Sequence, residues 1–173
     1  MKDSDIATLE AQRISLEHKL TRVDEDLFSS SPVNGKWSII QILEHIVISE
    51  EMAISYVNKK IKSPELLSSV TMKTKIYAVL MNNLLKYNFR FKAPQKVTPS
   101  HYPTSKVENI LHRWQQARIS LEQLSRMSPV VLEKGIFKHP GVGYLNFSQM
   151  VDFLKSHFEH HLTQISVIVD QRK

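Results

Sequence analysis

Near the C-terminus the chain reads His157-Phe158-Glu159-His160-His161-Leu162-Thr163-Gln164-Ile165. Residues four apart stack on one face of an α-helix, with Cβ atoms roughly 5–6 Å apart, so His157 and His161 form such a pair. Phe147, Val151, Leu154, Phe158, Leu162, Ile165 and Ile168/Val169 recur at helical spacing around them and place the pair on or beside an inward stripe. A free histidine gains little there. Two imidazoles so spaced can close on one metal ion, each nitrogen at about 2.0–2.1 Å. The chain reads as organised around this pair plus one more histidine from an earlier helix.

The elements that must position these groups follow from start signals and apolar period. Asp3 to about Phe28 reads as a first helix with Ile6, Leu9, Ile14/Leu16, Leu20, Val23 and Leu27 inward. Ser29 to Gly35 is rich in turn residues. Ser38 and Gln41 then form a capping box, with Trp37 and Ile42 placed for a hydrophobic staple, and the second helix runs to about Lys60. Its stripe is Ile42, His45/Ile46, Ser49, Met52/Ala53 and Tyr56, so His45 faces inward. An inward histidine alone is more often a hydrogen-bonded core residue than a ligand. A helix over Val70–Phe89, with the period Met72, Ile76, Val79/Leu80, Asn83/Leu84 and Tyr87, lies in a long crossover broken by Pro64, Pro94, Pro99 and Pro103. Ser105 and Glu108 form a further capping box for a third long helix to Met127, with Trp114 as core. Asn146 and Gln149 cap the last helix, with Leu145 and Met150 available as a staple.

Composition sets bounds. The 173 residues suit one domain, 1–173, and 42% hydrophobic with 23% charged residues is ordinary for a globular protein. Four glycines and little strand-like alternation argue for an all-α chain. There is no cysteine, so a metal must be held by His, Asp or Glu. The N-terminal acids Asp3, Asp5, Glu10 and Glu17 do not suit a signal peptide, and no apolar run reaches the about 18–20 residues of a membrane span. A cytoplasmic location without a membrane partner is the default expectation. The net charge is +6, and between Lys59 and Lys106 every charged residue but Glu65 is a lysine or arginine. Such a stretch can steer anions or bind nucleic acid. A solvated basic face is the plainer reading, since nothing there looks like a nucleic-acid module.

Three stretches then combine: Trp37-Ser38-Ile39-Ile40-Gln41-Ile42-Leu43-Glu44-His45-Ile46, the loop His139-Pro140 to Gly143 followed by Leu145, and the histidine-rich stretch His157–Ile165. Together they resemble the DinB-like superfamily, which includes bacillithiol transferases and mycothiol-dependent enzymes. The resemblance implies a four-helix bundle with a long, partly helical crossover between helices 2 and 3. It also implies a divalent ion, zinc or nickel first, held by His45, His157 and His161. His160 falls on another helix face and reads as a surface residue, and His139 is matched as a loop histidine rather than a ligand. His18, His101 and His112 have no partner at ligand spacing. Gln41, Ser49 and Gln164 are placed to bond the ligands' outer nitrogens. Three neutral ligands leave the ion its full charge and an open position for water, as in hydrolase-like sites, or for a thiol. The function so implied is a low-molecular-weight-thiol S-transferase acting on an electrophilic small molecule. The alternative is a non-catalytic metal-binding or stress-response bundle. Relatives are often dimers, so a homodimer is a further expectation.

Overall fold

The computed structural model describes residues 2–30, 36–87, 94–99 and 106–170. The helices are α1 (Lys2–Leu20), α2 (Glu25–Ser29), α3 (Ile39–Lys60), α4 (Met72–Lys86), α5 (Val107–Ser125), α6 (Pro129–Leu132) and α7 (Phe147–Asp170). The strands β1 (Phe137–His139) and β2 (Gly143–Leu145) pair antiparallel, with Phe137 opposite Leu145 and His139 opposite Gly143. Among the described residues the chain is therefore all-α apart from one short hairpin and an isolated bridge between Ser69 and Lys134. Gly143 adopts φ +101° in that hairpin, a conformation costly for a residue with a Cβ. α1 and α3 each pack on both α5 and α7, so the four long helices close into a ring of neighbours. α4 belongs to the crossover and lies along α7.

Two of the helix starts follow the sequence signals. Ser38 Oγ accepts from Gln41 N at 3.4 Å while Gln41 Oε1 accepts from Ser38 N at 3.0 Å. Asn146 and Gln149 make the same reciprocal pair at 3.0 and 3.1 Å, and Leu145 and Met150 are buried beside it. The Ser105–Glu108 box falls on a residue outside those described, and α5 begins after Lys106.

Elsewhere the structure departs from the expected pattern. The first helix ends at Leu20 rather than near Phe28. Arg22 N and Val23 N bond the carbonyls three residues back, and Thr21 Oγ1 donates to the His18 carbonyl at 2.9 Å, so the last turn tightens and stops. Leu27 then reaches the core from the separate helix α2. Arg13, not Ile14, occupies the buried stripe of α1, carried there by ion pairs to Glu10 and Glu17. α4 is turned the other way from its apolar period. Met72, Ile76, Val79, Leu80 and Tyr87 are exposed, while Thr74, Ala78 and Leu85 are buried. Ala78 joins the buried apolar cluster on that face, with Met81 packed against it.

The core holds a buried ion pair that no apolar pattern signals. Glu50 Oε1 accepts from Arg118 Nη2 at 2.8 Å, and Glu50 Oε2 accepts from the indole Nε1 of Trp114 at 3.1 Å. Glu50 and Arg118 are 1% and 4% exposed. Glu50→Ala would strand the guanidinium and should cost about 3–5 kcal/mol of unfolding free energy. Arg126→Ala, which removes the exposed Glu122 pair, should stay within about 1 kcal/mol. Urea unfolding of the two variants checks the contrast; equal losses would show that the buried pair carries no such penalty.

Candidate metal centre

α7 carries His157 and His161 on one face, and α3 brings His45 across to meet them. His45 Nε2 and His161 Nε2 each lie 3.1 Å from His157 Nε2, and the three atoms fall within 4.8 Å of one another. The rings are 4%, 9% and 5% exposed for His45, His157 and His161. Both helices begin from reciprocal capping boxes. Aromatic groups wall the cluster. The Trp37 ring lies 4.9 Å from His45 and stacks on His161 at 6.4 Å, and Phe153 stacks on His157 at 5.5 Å.

Burial dominates the electrostatics. Desolvation lowers the pKa of His45, against the hydrogen bond to Val97, which raises it. The same burial, with the neighbouring imidazoles adding to it, holds His157 well below its ordinary value. His161 is lowered to about 3, again first by burial, and His139 to about 4. The three rings are therefore neutral at pH 7, the form that ligates a metal.

Their outer nitrogens decide where the lone pairs point. A carbonyl only accepts, so the 2.7 Å bond to Val97 O puts the His45 proton on Nδ1 and leaves Nε2 bare. His161 Nδ1 donates to Gln164 Oε1 at 3.0 Å, with the same result. Both bare atoms face His157 Nε2. A neutral His157 carries at most one proton there and can donate to one neighbour only. Hydrogen bonding alone leaves at least one close nitrogen–nitrogen contact unsatisfied. A cation among them removes the conflict. Neighbouring nitrogens on a tetrahedral ion at about 2.0–2.1 Å sit about 3.3 Å apart, close to what the helices impose. The donor set thus fits a divalent ion, and imidazole nitrogen does not select among the candidates.

The other sequence expectations sort as follows. Gln164 bonds His161 as its spacing suggests. Gln41 closes the α3 cap instead, and His45 spends its nitrogens on Val97 and His157, leaving none for Gln41 or Ser49. His160 is not on the surface: it is 7% exposed, with Nδ1 3.3 Å from Leu85 O and Nε2 3.0 Å from Gln164 Nε2. α4 covers the face of α7 that a free-standing helix would show to water. His139 stays outside the cluster, its ring edge-on to Phe153 at 4.5 Å. His18 and His112 are exposed, and His101 lies outside the described residues. The role of Val97 had no sequence signal, because every residue carries a carbonyl. A turn at Gln95–Val97, preceded by Pro94, brings this one to α3.

Fold and site together define an all-α protein with a buried three-histidine cluster able to hold a metal ion. The family model of the DinB superfamily matches residues 8–165, and the chain belongs to that superfamily. No curated protein and no solved structure matches it. Among the described residues no helix is long and apolar enough to cross a membrane.

The lowered values fix the sign of a pH effect on metal-free protein. Below about pH 6.5 the unfolded chain protonates its histidines while His161 resists down to about 3 and His139 to about 4, so stability falls as pH falls through that window. For His161 alone the loss between pH 6.5 and 5 should be about 2 kcal/mol. Urea unfolding with chelator present should show this slope and a shallower one for His161→Phe. Identical slopes would mean that the ring protonates freely in the fold.

Proposed function

We propose that His45, His157 and His161 bind a divalent ion, zinc or nickel, and that the protein is a metal-dependent S-transferase for a low-molecular-weight thiol. The observation that carries this reading is the convergence of three neutral imidazole Nε2 atoms within 4.8 Å in a member of the DinB superfamily. A dication held by three neutral ligands rather than four supplies positive charge at an open position, which lowers the pKa of a thiol there.

The chain's own residues do the rest. The imidazoles, kept neutral by burial, add no negative charge that would oppose a thiolate. Trp37 and Phe153 present apolar ring faces beside the cluster, which limit water and strengthen the electrostatics of the site. In the transfer the thiol proton passes to solvent, sulfur forms a bond to the electrophilic carbon, and the leaving group departs with its bonding pair.

Among the described residues the cluster gathers histidines alone and no carboxylate. That composition favours thiol activation over hydrolysis aided by a carboxylate base, and it equally suits a bundle that keeps a metal without turnover. Purified protein should contain about one divalent ion per chain by elemental analysis. His45→Ala and His157→Ala should each lose it; metal content unchanged in both variants ends the reading. A screen of small thiols against electrophiles separates the two forms of it. Sustained turnover that disappears in His157→Ala supports the transferase, and metal without turnover leaves the binding protein.

A further inference from the structure

His160 and Gln164 form a polar connection behind the cluster that metal binding does not itself require. Gln164 is four residues beyond His160 and three beyond His161, so one side-chain amide sits between two rings on the same helix. Its Nε2 lies 3.0 Å from His160 Nε2 and its Oε1 3.0 Å from His161 Nδ1. The far end of His160, Nδ1, lies 3.3 Å from the carbonyl of Leu85 on α4. The two rings are 5.1 Å apart at 76°.

We propose that His160 and Gln164 are positioning residues that, through one chain of hydrogen bonds ending on the Leu85 carbonyl, hold His161 in the tautomer whose Nε2 lone pair faces His45 and His157. The inference rests on the assignment of His161 as a ligand.

The direction of the chain follows from its end. Leu85 O can only accept, so His160 carries its proton on Nδ1. His160 Nε2 is then an acceptor and takes a proton from the Gln164 amide nitrogen. An amide has one nitrogen and one oxygen, so its other end is Oε1, which accepts from His161 Nδ1. His161 Nε2 is left bare. Reversing any member sets acceptor against acceptor or donor against donor elsewhere in the chain. Without His160 the Gln164 amide could turn over and offer nitrogen to His161, which would favour the opposite tautomer and put a proton where a cation should sit. His45 reaches the same state in one step, through Val97 O. Both chains thus end on main-chain carbonyls of the connection between α3 and α5.

The test uses the full chain with zinc as the probe. Long-range nitrogen–proton correlation spectra of metal-free, chelated wild type report each imidazole tautomer. His160 and His161 should both carry the proton on Nδ1, and His160→Phe should shift His161 toward the Nε2-protonated form. In competition with a chelator, zinc affinity should fall about 10–100-fold in Gln164→Leu and His160→Phe, and Gln164→Glu, which still offers oxygen to His161, should restore it. Wild-type His161 protonated on Nε2, or affinities of both the leucine and phenylalanine variants within about threefold of wild type, would overturn the proposal. The spectra of the wild type decide the first point even if a variant fails to fold. Failure of the ligand assignment looks different: wild type that binds no zinc, or His157→Ala that binds it as tightly, removes His161 as a ligand while the tautomer measurement still stands.

Discussion

Three imidazole nitrogens share one buried point, and the structure around them is arranged to keep them there. The rings cannot satisfy one another, because His157 Nε2 meets two bare acceptors and can donate to one. Nor can they relieve the conflict by taking up protons, since burial opposes charging each of them. The convergence is imposed by the packing of α3 on α7. Ile42 and Ile46 flank His45, Phe158 and Ile165 flank the pair on α7, and all four belong to one apolar cluster with Trp114. A loss of packing there would let the rings part, so the core stabilises a contact that is unfavourable in itself.

Holding the rings close is not enough; they must also face the right way. The two capping boxes set where α3 and α7 begin, and the packing of their apolar faces turns the histidines toward one another. The crossover sets the ring orientation, through carbonyls that only accept. The crossover, read from the sequence as a broken connection with a helix of its own, therefore supplies part of the polar frame of the site through the carbonyls of Val97 and Leu85.

The parts legible in the sequence are those governed by local chemistry. Ser38 with Gln41, Asn146 with Gln149, and His157 with His161 are interactions between residues three or four apart, and each is in place. The misread parts depend on contacts that no short window contains. α4 turns its apolar period outward and buries the face with Thr74, Ala78 and Leu85 where it packs on α7 and β2, contacts that lie far along the chain. His160 becomes buried because α4 covers it. Arg13 sits in an apolar stripe because two acids on its own helix travel with it, and Glu50 because Arg118 arrives from α5. In each case a charge or a side-chain direction is settled by a distant element. Period alone predicts burial only where the residue's chemistry and its neighbour agree.

The disposition of the acids bears on what the site could take up. Glu44 is next to His45 in the chain, yet its Oε1 accepts from Arg113 on α5 at 2.6 Å, while Oε2 is buried without a hydrogen-bond partner among the described residues. Glu159, between the histidines of α7, accepts from Gln12 on α1 at 3.2 Å. The carboxylates nearest in sequence are thus engaged by other helices, and the described cluster gathers neutral donors only. A dication held by such a set would keep its charge, and in an interior of low effective dielectric that charge would act strongly on a molecule bound beside it. An anionic guest would be favoured over a neutral one for that reason. Replacing one imidazole by a carboxylate would weaken the preference by supplying the negative charge from the protein itself. The acids held away from the cluster are as much a part of its chemistry as the histidines within it.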